Sequence, residues 1–167
     1  LAVSLATAKA EAISQKQPLY EYFGKLSGNT NFELPLPMMN IINGGKHATG
    51  STDIQEFLIM PIGASTFSQA LEIGSNVFHM LGKILTDKNY ATTVGDEGGY
   101  APHVKAGNKE ALDLIIHAIE KAGYTPEKDV VIGLDVAASG LYQDGSYVLN
   151  TEDKRLSSDE LIGWLIQ

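Results

Sequence analysis

Val130-Val131-Ile132-Gly133-Leu134 is a continuous apolar run with no polar alternation. A strand that reads this way is expected to be covered on both faces, as in a parallel sheet or the wall of a barrel. Residues about 36–42 and 56–60 are two more short apolar runs, bounded by Pro, Asn and Gly as strands usually are. Residues 66–88 place Ala70, Leu71, Gly74, Val77, Phe78, Leu81, Ile84 and Leu85 on one face of a helix. Asn108 is expected to cap a second helix that buries Ala111, Leu112, Ile115, Ile116, Ile119 and Ala122, with Gly123 closing it. The order is strand, strand, helix, helix, strand. The class is α/β, but a regular barrel alternates strand and helix, so this opening is unusual.

The flanks are read in the same way. Residues 1 to about 17 are expected to form a helix ended by Pro18. The polar, glycine-containing stretch 24–31 reads as a linker. The expected division is therefore 1–31, the end of one α+β domain with its linker, and 32–167, the first portion of a second domain. Tyr142–Leu149 reads as a hairpin turning at Asp144-Gly145. Ser157-Ser158-Asp159-Glu160 reads as a capping box that starts a last helix. The chain opens without Met, inside a helical pattern, and closes about two turns into that last helix. Both ends are expected to be cuts within a longer protein.

Gly95-Asp96-Glu97-Gly98-Gly99 sets two acidic residues among glycines, which let a ligand approach the backbone closely. On its own this is as readily a solvated turn as a proton donor or metal site. It is accompanied by Pro35-Leu36-Pro37-Met38-Met39-Asn40-Ile41-Ile42-Asn43-Gly44-Gly45-Lys46-His47, by Asp53-Ile54-Gln55-Glu56-Phe57, and by Val131-Ile132-Gly133-Leu134-Asp135. These four stretches, in this order and spacing, closely resemble the enolase family, the glycolytic phosphopyruvate hydratases. The Asp-Ile-Gln-Glu-Phe form looks most like the bacterial branch. The resemblance covers the whole chain, which spans well under half of a full-length enolase.

The resemblance implies the first part of an enolase-type TIM-like barrel, preceded by a helix of the N-terminal domain. In that barrel the second strand is antiparallel. His47, Gln55, Glu56 and Asp135 would then gather at one edge, where barrel active sites sit, and Glu97 would join them from its loop. The implied reaction is the reversible dehydration of 2-phosphoglycerate to phosphoenolpyruvate through a Mg²⁺-stabilised ene-diolate, a superfamily pattern of long standing.

Residue by residue, Glu97 matches the proton donor, and crowding with Glu56 is expected to raise its pKa. Glu56 matches a partner in that acid step and, with Gln55, a substrate contact. His47 matches a catalytic and substrate-binding residue on a loop that closes over the phosphate. Asp135 matches the first of three acidic Mg²⁺ ligands. The lysine base and the other two ligands would lie beyond Gln167, so the isolated chain is expected to be inactive. Each position also has a plainer reading: a turn carboxylate for Glu97, polar strand ends for Gln55 and Glu56, a solvated loop residue for His47, a cap or ion pair for Asp135. Locally, Lys46 stands where the family commonly has a smaller residue, Gly50 where Asn is common, Tyr100 for the usual Phe, and Gly140 where an acid is frequent.

Composition narrows the alternatives. The 167 residues are 44% hydrophobic and 19% charged, with a net charge of −8. An acidic chain of this kind argues against a nucleic-acid partner and for divalent cations where an anionic ester must be held. There is no cysteine, which removes disulfides, zinc-thiolate sites and thiol nucleophiles. No apolar run approaches a membrane span. The resemblance implies a cytoplasmic enzyme that forms a homo-oligomer and acts on a small phosphorylated substrate, with a cell-surface or secreted pool as an added possibility of the family. Two rival readings stand beside it: an acid-sugar dehydratase or cycloisomerase of the same superfamily, disfavoured by the absence of a Lys-x-Lys base near the second strand, and a non-enzymatic surface or scaffold protein.

Overall fold

The computed structural model describes residues 1–167. It divides into two compact units, Leu1–Pro35 and Leu36–Gln167. The first unit holds helix α1 (Ala2–Ser14) and helix α2 (Leu19–Ser27). The last turn of the second helix, residues 24–27, was expected to be linker. Gly24 misleads the eye there: it is buried, and its missing side chain makes room for the ring of Phe32. Gly28, at φ 72°, ends the helix in the left-handed conformation that glycine adopts freely. Pro18 is the N-cap of α2 rather than the terminator of α1, which already stops at Ser14.

The second unit begins with strand β1 (Met39–Asn43) and strand β2 (Glu56–Met60). Leu36 was expected within the first strand. Pro35 and Pro37 flank it, and proline cannot donate to a ladder, so pairing begins only at Met39. Helix α3 (Phe67–Asp87) follows, opened by Thr66, whose hydroxyl accepts from the Gln69 N–H at 3.1 Å. Such a cap contributes about 1 kcal/mol. Helix α4 (Gly107–Lys121) comes next, then strand β3 (Val131–Asp135). A small meander of β4 (Tyr142–Gln143), β5 (Ser146–Leu149) and β6 (Lys154–Leu156) leads to helix α5 (Ser158–Ile166). The Ser157–Glu160 capping box that starts α5 is formed in both directions.

The main sheet has three strands in the order β1-β2-β3 and is open. β2 runs antiparallel to both neighbours. Ile41, Ile42, Phe57 and Ile59 of the sheet share one core with Val77, Leu81 and Leu85 of α3 and Ala111, Ile115 and Ile119 of α4. Burying a side chain of this size fully contributes about 1.5–3 kcal/mol. The helical faces are turned slightly from those expected: Ile73 and Leu114 are buried, while Leu71 and Ile116 are exposed.

Two further expectations are corrected. β3 is not covered on both faces. It pairs only with β2, and Leu134 stands 38% exposed at the sheet edge. Asn108 does not cap α4. That end is served by Glu110, whose Oε2 accepts from the N–H groups of Lys105 and Ala106, each at 2.8 Å. Asn108 lies just inside the helix and is 1% exposed, and its side chain looks away to a different partner set. Its Oδ1 accepts from the Ile54 N–H at 2.9 Å, and its Nδ2 donates to Glu152 at 2.9 Å and to Asp53 at 3.1 Å.

Candidate active site

Antiparallel pairing on both sides of β2 fixes the site. Asn43, the last residue of β1, sits opposite Glu56, the first residue of β2. Glu56 in turn sits opposite Asp135, the last residue of β3. Residues far apart in sequence are therefore carried to one edge of the sheet by backbone register alone. Gln55 immediately precedes Glu56, and its stem packs against Gly45.

The loop with Glu97 is pinned to the outer edge of β1. Tyr100 donates its N–H to Ile41 O at 2.9 Å, and Asn43 donates to Tyr100 O at 2.8 Å. Gly95 closes the turn by donating to Gly99 O at 2.8 Å. Gly99 has to be glycine, because a Cβ would lie 3.0 Å from the backbone of Ile41 and Ile42 and 2.7 Å from Asn43 Oδ1. The loop with His47 meets this turn through its backbone, since Asp96 N–H donates to His47 O at 3.2 Å.

At the centre, His47 Nδ1 lies 3.6 Å from Glu56 Oε1 and 3.8 Å from Glu97 Oε2. Asn40, on β1, donates from Nδ2 to the same Glu97 oxygen at 3.1 Å. Glu56 and Glu97 bring carboxylate oxygens within 4.8 Å of one another. Burial, the hydrogen bond and charge of Glu97, and the charge of Asp135 push the Glu56 carboxyl above its ordinary value, while His47 opposes the rise. Glu56 is the less exposed of the two acids, with side-chain exposures of 15% for Glu56 and 46% for Glu97. A carboxyl raised in this way, beside a second carboxyl and an imidazole, can hold a proton and pass it to a reacting group.

Asp135 stands at the same edge and is exposed. One of its oxygens, Oδ1, accepts from Ala137 N–H at 2.9 Å and holds the turn after β3; the other makes no hydrogen bond. His47, Glu56 and Glu97 also offer ligand atoms within 4.8 Å of one another, so a metal ion could be held there. That set mixes nitrogen with oxygen. Mg²⁺ takes oxygen ligands and is commonly bound by one or two carboxylates, so the free Asp135 oxygen fits it better.

The protein-family model of the enolase C-terminal TIM barrel domain matches residues 31–167. The chain belongs to the enolase C-terminal barrel family. Membership points to the dehydratase or lyase chemistry of the enolase superfamily, and enolase-family domains generally use Mg²⁺. The open three-stranded sheet is consistent with part of such a barrel.

Sequence reasoning passed over two site residues, Asn40 and Asn43. Asn43 is fully buried, with both amide atoms unpartnered, and Asn40 Oδ1 is also buried without a partner. The available signal was a polar amide inside and at the end of the apolar run Met38–Ile42. The loop 44–53 lies between β1 and β2. Its second half is buried at Ser51, Thr52 and Asp53, with Ser51 Oγ donating to Pro102 O at 2.8 Å. The anchors are polar rather than apolar.

Proposed function

We propose that residues 32–167 are the opening portion of the barrel of a bacterial-type glycolytic enolase, acting on 2-phosphoglycerate and phosphoenolpyruvate. The observation that carries this is the convergence of His47, Glu56 and Glu97 within 4.8 Å on the edge that also holds Asp135. In the dehydration direction, a base removes the proton on the carbon next to the substrate carboxylate. By resemblance that base is a lysine on a later strand. The Glu56–Glu97 pair gives a proton to the departing hydroxyl, which leaves as water, and Glu97 is the donor that faces it. Glu56 holds a proton beyond the ordinary carboxylate range and can restore the one that Glu97 gives up. His47 and Gln55 bind the substrate, His47 from the loop above the pair. Asp135 would be one ligand of Mg²⁺, which supplies positive charge where the substrate carboxylate gains negative charge.

The rest of this reading is a small phosphorylated substrate, no nucleic-acid partner, a homo-oligomeric whole enzyme and a cytoplasmic setting. No helix is long and apolar enough to cross a membrane.

The test is absorbance-monitored formation of phosphoenolpyruvate by the enzyme containing this chain, with Mg²⁺ in excess. Glu97→Gln is expected to lower kcat by about 10²–10⁴-fold, the usual worth of a positioned acid. An enzyme that turns over an acid-sugar substrate instead, or that is indifferent to Glu97→Gln, would overturn the assignment.

A further inference from the structure

Glu97 is the more exposed of the two acids and sits on a turn with glycines on both sides, Gly95 and Gly98-Gly99. A side chain in that setting keeps several rotamers unless something holds it, and proton transfer requires hydrogen-bond reach to the reacting group. The only side chain that donates a hydrogen bond to the Glu97 carboxylate is Asn40, at 3.1 Å to Oε2. That oxygen is also the one facing His47 Nδ1. We propose, resting on the functional reading above, that Asn40 is a positioning residue for the reaction: its side-chain amide holds Glu97 in the rotamer that faces His47 and Glu56.

Three features support it. First, the amide orientation is dictated by chemistry, since only the NH₂ end can donate to a carboxylate. Its Oδ1 then faces a buried place with no partner. Leaving an acceptor buried and unpaired is destabilising, so the arrangement is not what stability alone would select. Second, β1 carries a register irregularity between Asn40 and Ile42. One extra residue there lets Ile41 and Ile42 both be buried and sets where Asn40 points relative to the edge at Asn43. Bulges next to active sites commonly re-aim a side chain in this manner. Third, the residue type suits the task. Asn donates a hydrogen bond without carrying charge. Lys or Arg there would favour permanent ionisation of Glu97, and Asp would repel it.

The experiment is a double-mutant cycle in the enzyme containing this chain. Asn40→Ala removes one hydrogen bond to a charged group, and kcat is expected to fall roughly ten- to hundredfold with KM for 2-phosphoglycerate little changed. Asn40→Asp, nearly identical in shape, is expected to be slower than Asn40→Ala. In a Glu97→Gln background, Asn40→Ala is expected to cost less than about threefold further, because no acid remains to be held. Full additivity of the two changes, or a loss carried by KM, would show a purely structural role and overturn the inference.

A second measurement avoids both turnover and truncation of the Asn40 side chain. The Asn40 side-chain amide resonances, followed by NMR, are expected to move in Glu97→Gln, and unmoved resonances would overturn the inference. If the unmutated enzyme makes no phosphoenolpyruvate, the functional reading fails, while the NMR result still decides whether Asn40 holds Glu97.

Discussion

Three glycines decide where Glu97 can be. Gly95 lies against the Asn43 side chain and the His47 carbonyl, Gly99 lies against the β1 backbone, and Gly98 turns the chain at φ 83° with open space around it. The first two are needed for close approach and the third for conformation, and the two needs differ in cost. At Gly99 a Cβ meets backbone atoms that cannot yield without moving β1. Gly99→Ala is therefore expected to destabilise by about 1–3 kcal/mol. Gly98→Ala meets only the strain of a left-handed residue, about 1 kcal/mol. Urea midpoints of the two variants should fall in that order.

Glu56 supplies a second test at this scale. Its folded-state pKa is raised, so in the metal-free protein the native state binds more protons than the unfolded state at pH values between the ordinary carboxyl value and the raised one. The stability linked to Glu56 is then fully present below its unfolded pKa and is lost as pH rises through the folded one. Glu56→Gln is expected to remove that part of the fall, so its stability relative to the wild type should improve as pH rises from acid toward neutral. An unchanged difference across this range, by chemical denaturation in EDTA, would show that the carboxyl is not the group responsible.

At the scale of elements, α4 holds the active-site loop through a polar contact rather than an apolar one. Asn108 bridges Ile54, Asp53 and Glu152, and Asp53 also accepts from the Thr151 N–H at 3.1 Å. This ties the residues just before Gln55 and Glu56 to the start of α4 and to the turn between β5 and β6. Asn108→Ala leaves the buried Asp53 carboxylate and the Ile54 N–H each short of a partner. Asp53 keeps Thr151, so the penalty of about 1–3 kcal/mol for a stranded buried group is expected for the Ile54 N–H. Lys109→Ala, one residue on, breaks only an exposed ion pair with Asp113 and should cost under about 1 kcal/mol.

The same residue shows how far the sequence could be read. The gathering of Glu56 and Asp135 was implied by the family resemblance, with its antiparallel second strand; the three strands and both long helices follow from apolar runs and helical spacing. They are legible because burial leaves a periodic trace. Asn108 was misread as a cap because a local role is the default for Asn before a helical pattern, and its true partners are 44 to 55 residues away. Asn40 was overlooked for a related reason: its partner is 57 residues away, and no periodicity marks a strand amide that reaches into a site. The last turn of α2 was lost because Gly24, which reads as linker, is there to admit a ring that only the fold reveals.

For the whole molecule, the open sheet determines what this chain does by itself. The Glu56–Glu97 pair, His47 and one Mg²⁺-suited carboxylate stand on the edge formed by three strands. In the proposed reaction the Glu56–Glu97 pair supplies the acid step, His47 binds substrate and Asp135 serves the Mg²⁺ site. The base, by resemblance, belongs to a strand beyond β3. A single carboxylate would leave Mg²⁺ most of its water shell and hold it weakly. The purified 167-residue chain is therefore expected to form no phosphoenolpyruvate from 2-phosphoglycerate in excess Mg²⁺. The edge of β3 away from β2 carries no ladder, and Leu134 is exposed on that strand, which together make a template for another chain. The chain should sediment as larger species as its concentration rises, and Leu134→Lys should reduce that self-association while leaving the helical circular dichroism unchanged. The first expectation follows from the base and the single carboxylate, the second from the unpaired edge of β3, so they can fail separately. Turnover lost on Glu97→Gln would mean the base is already among these residues. A strictly monomeric chain at high concentration would mean that the β3 edge is protected by something other than pairing.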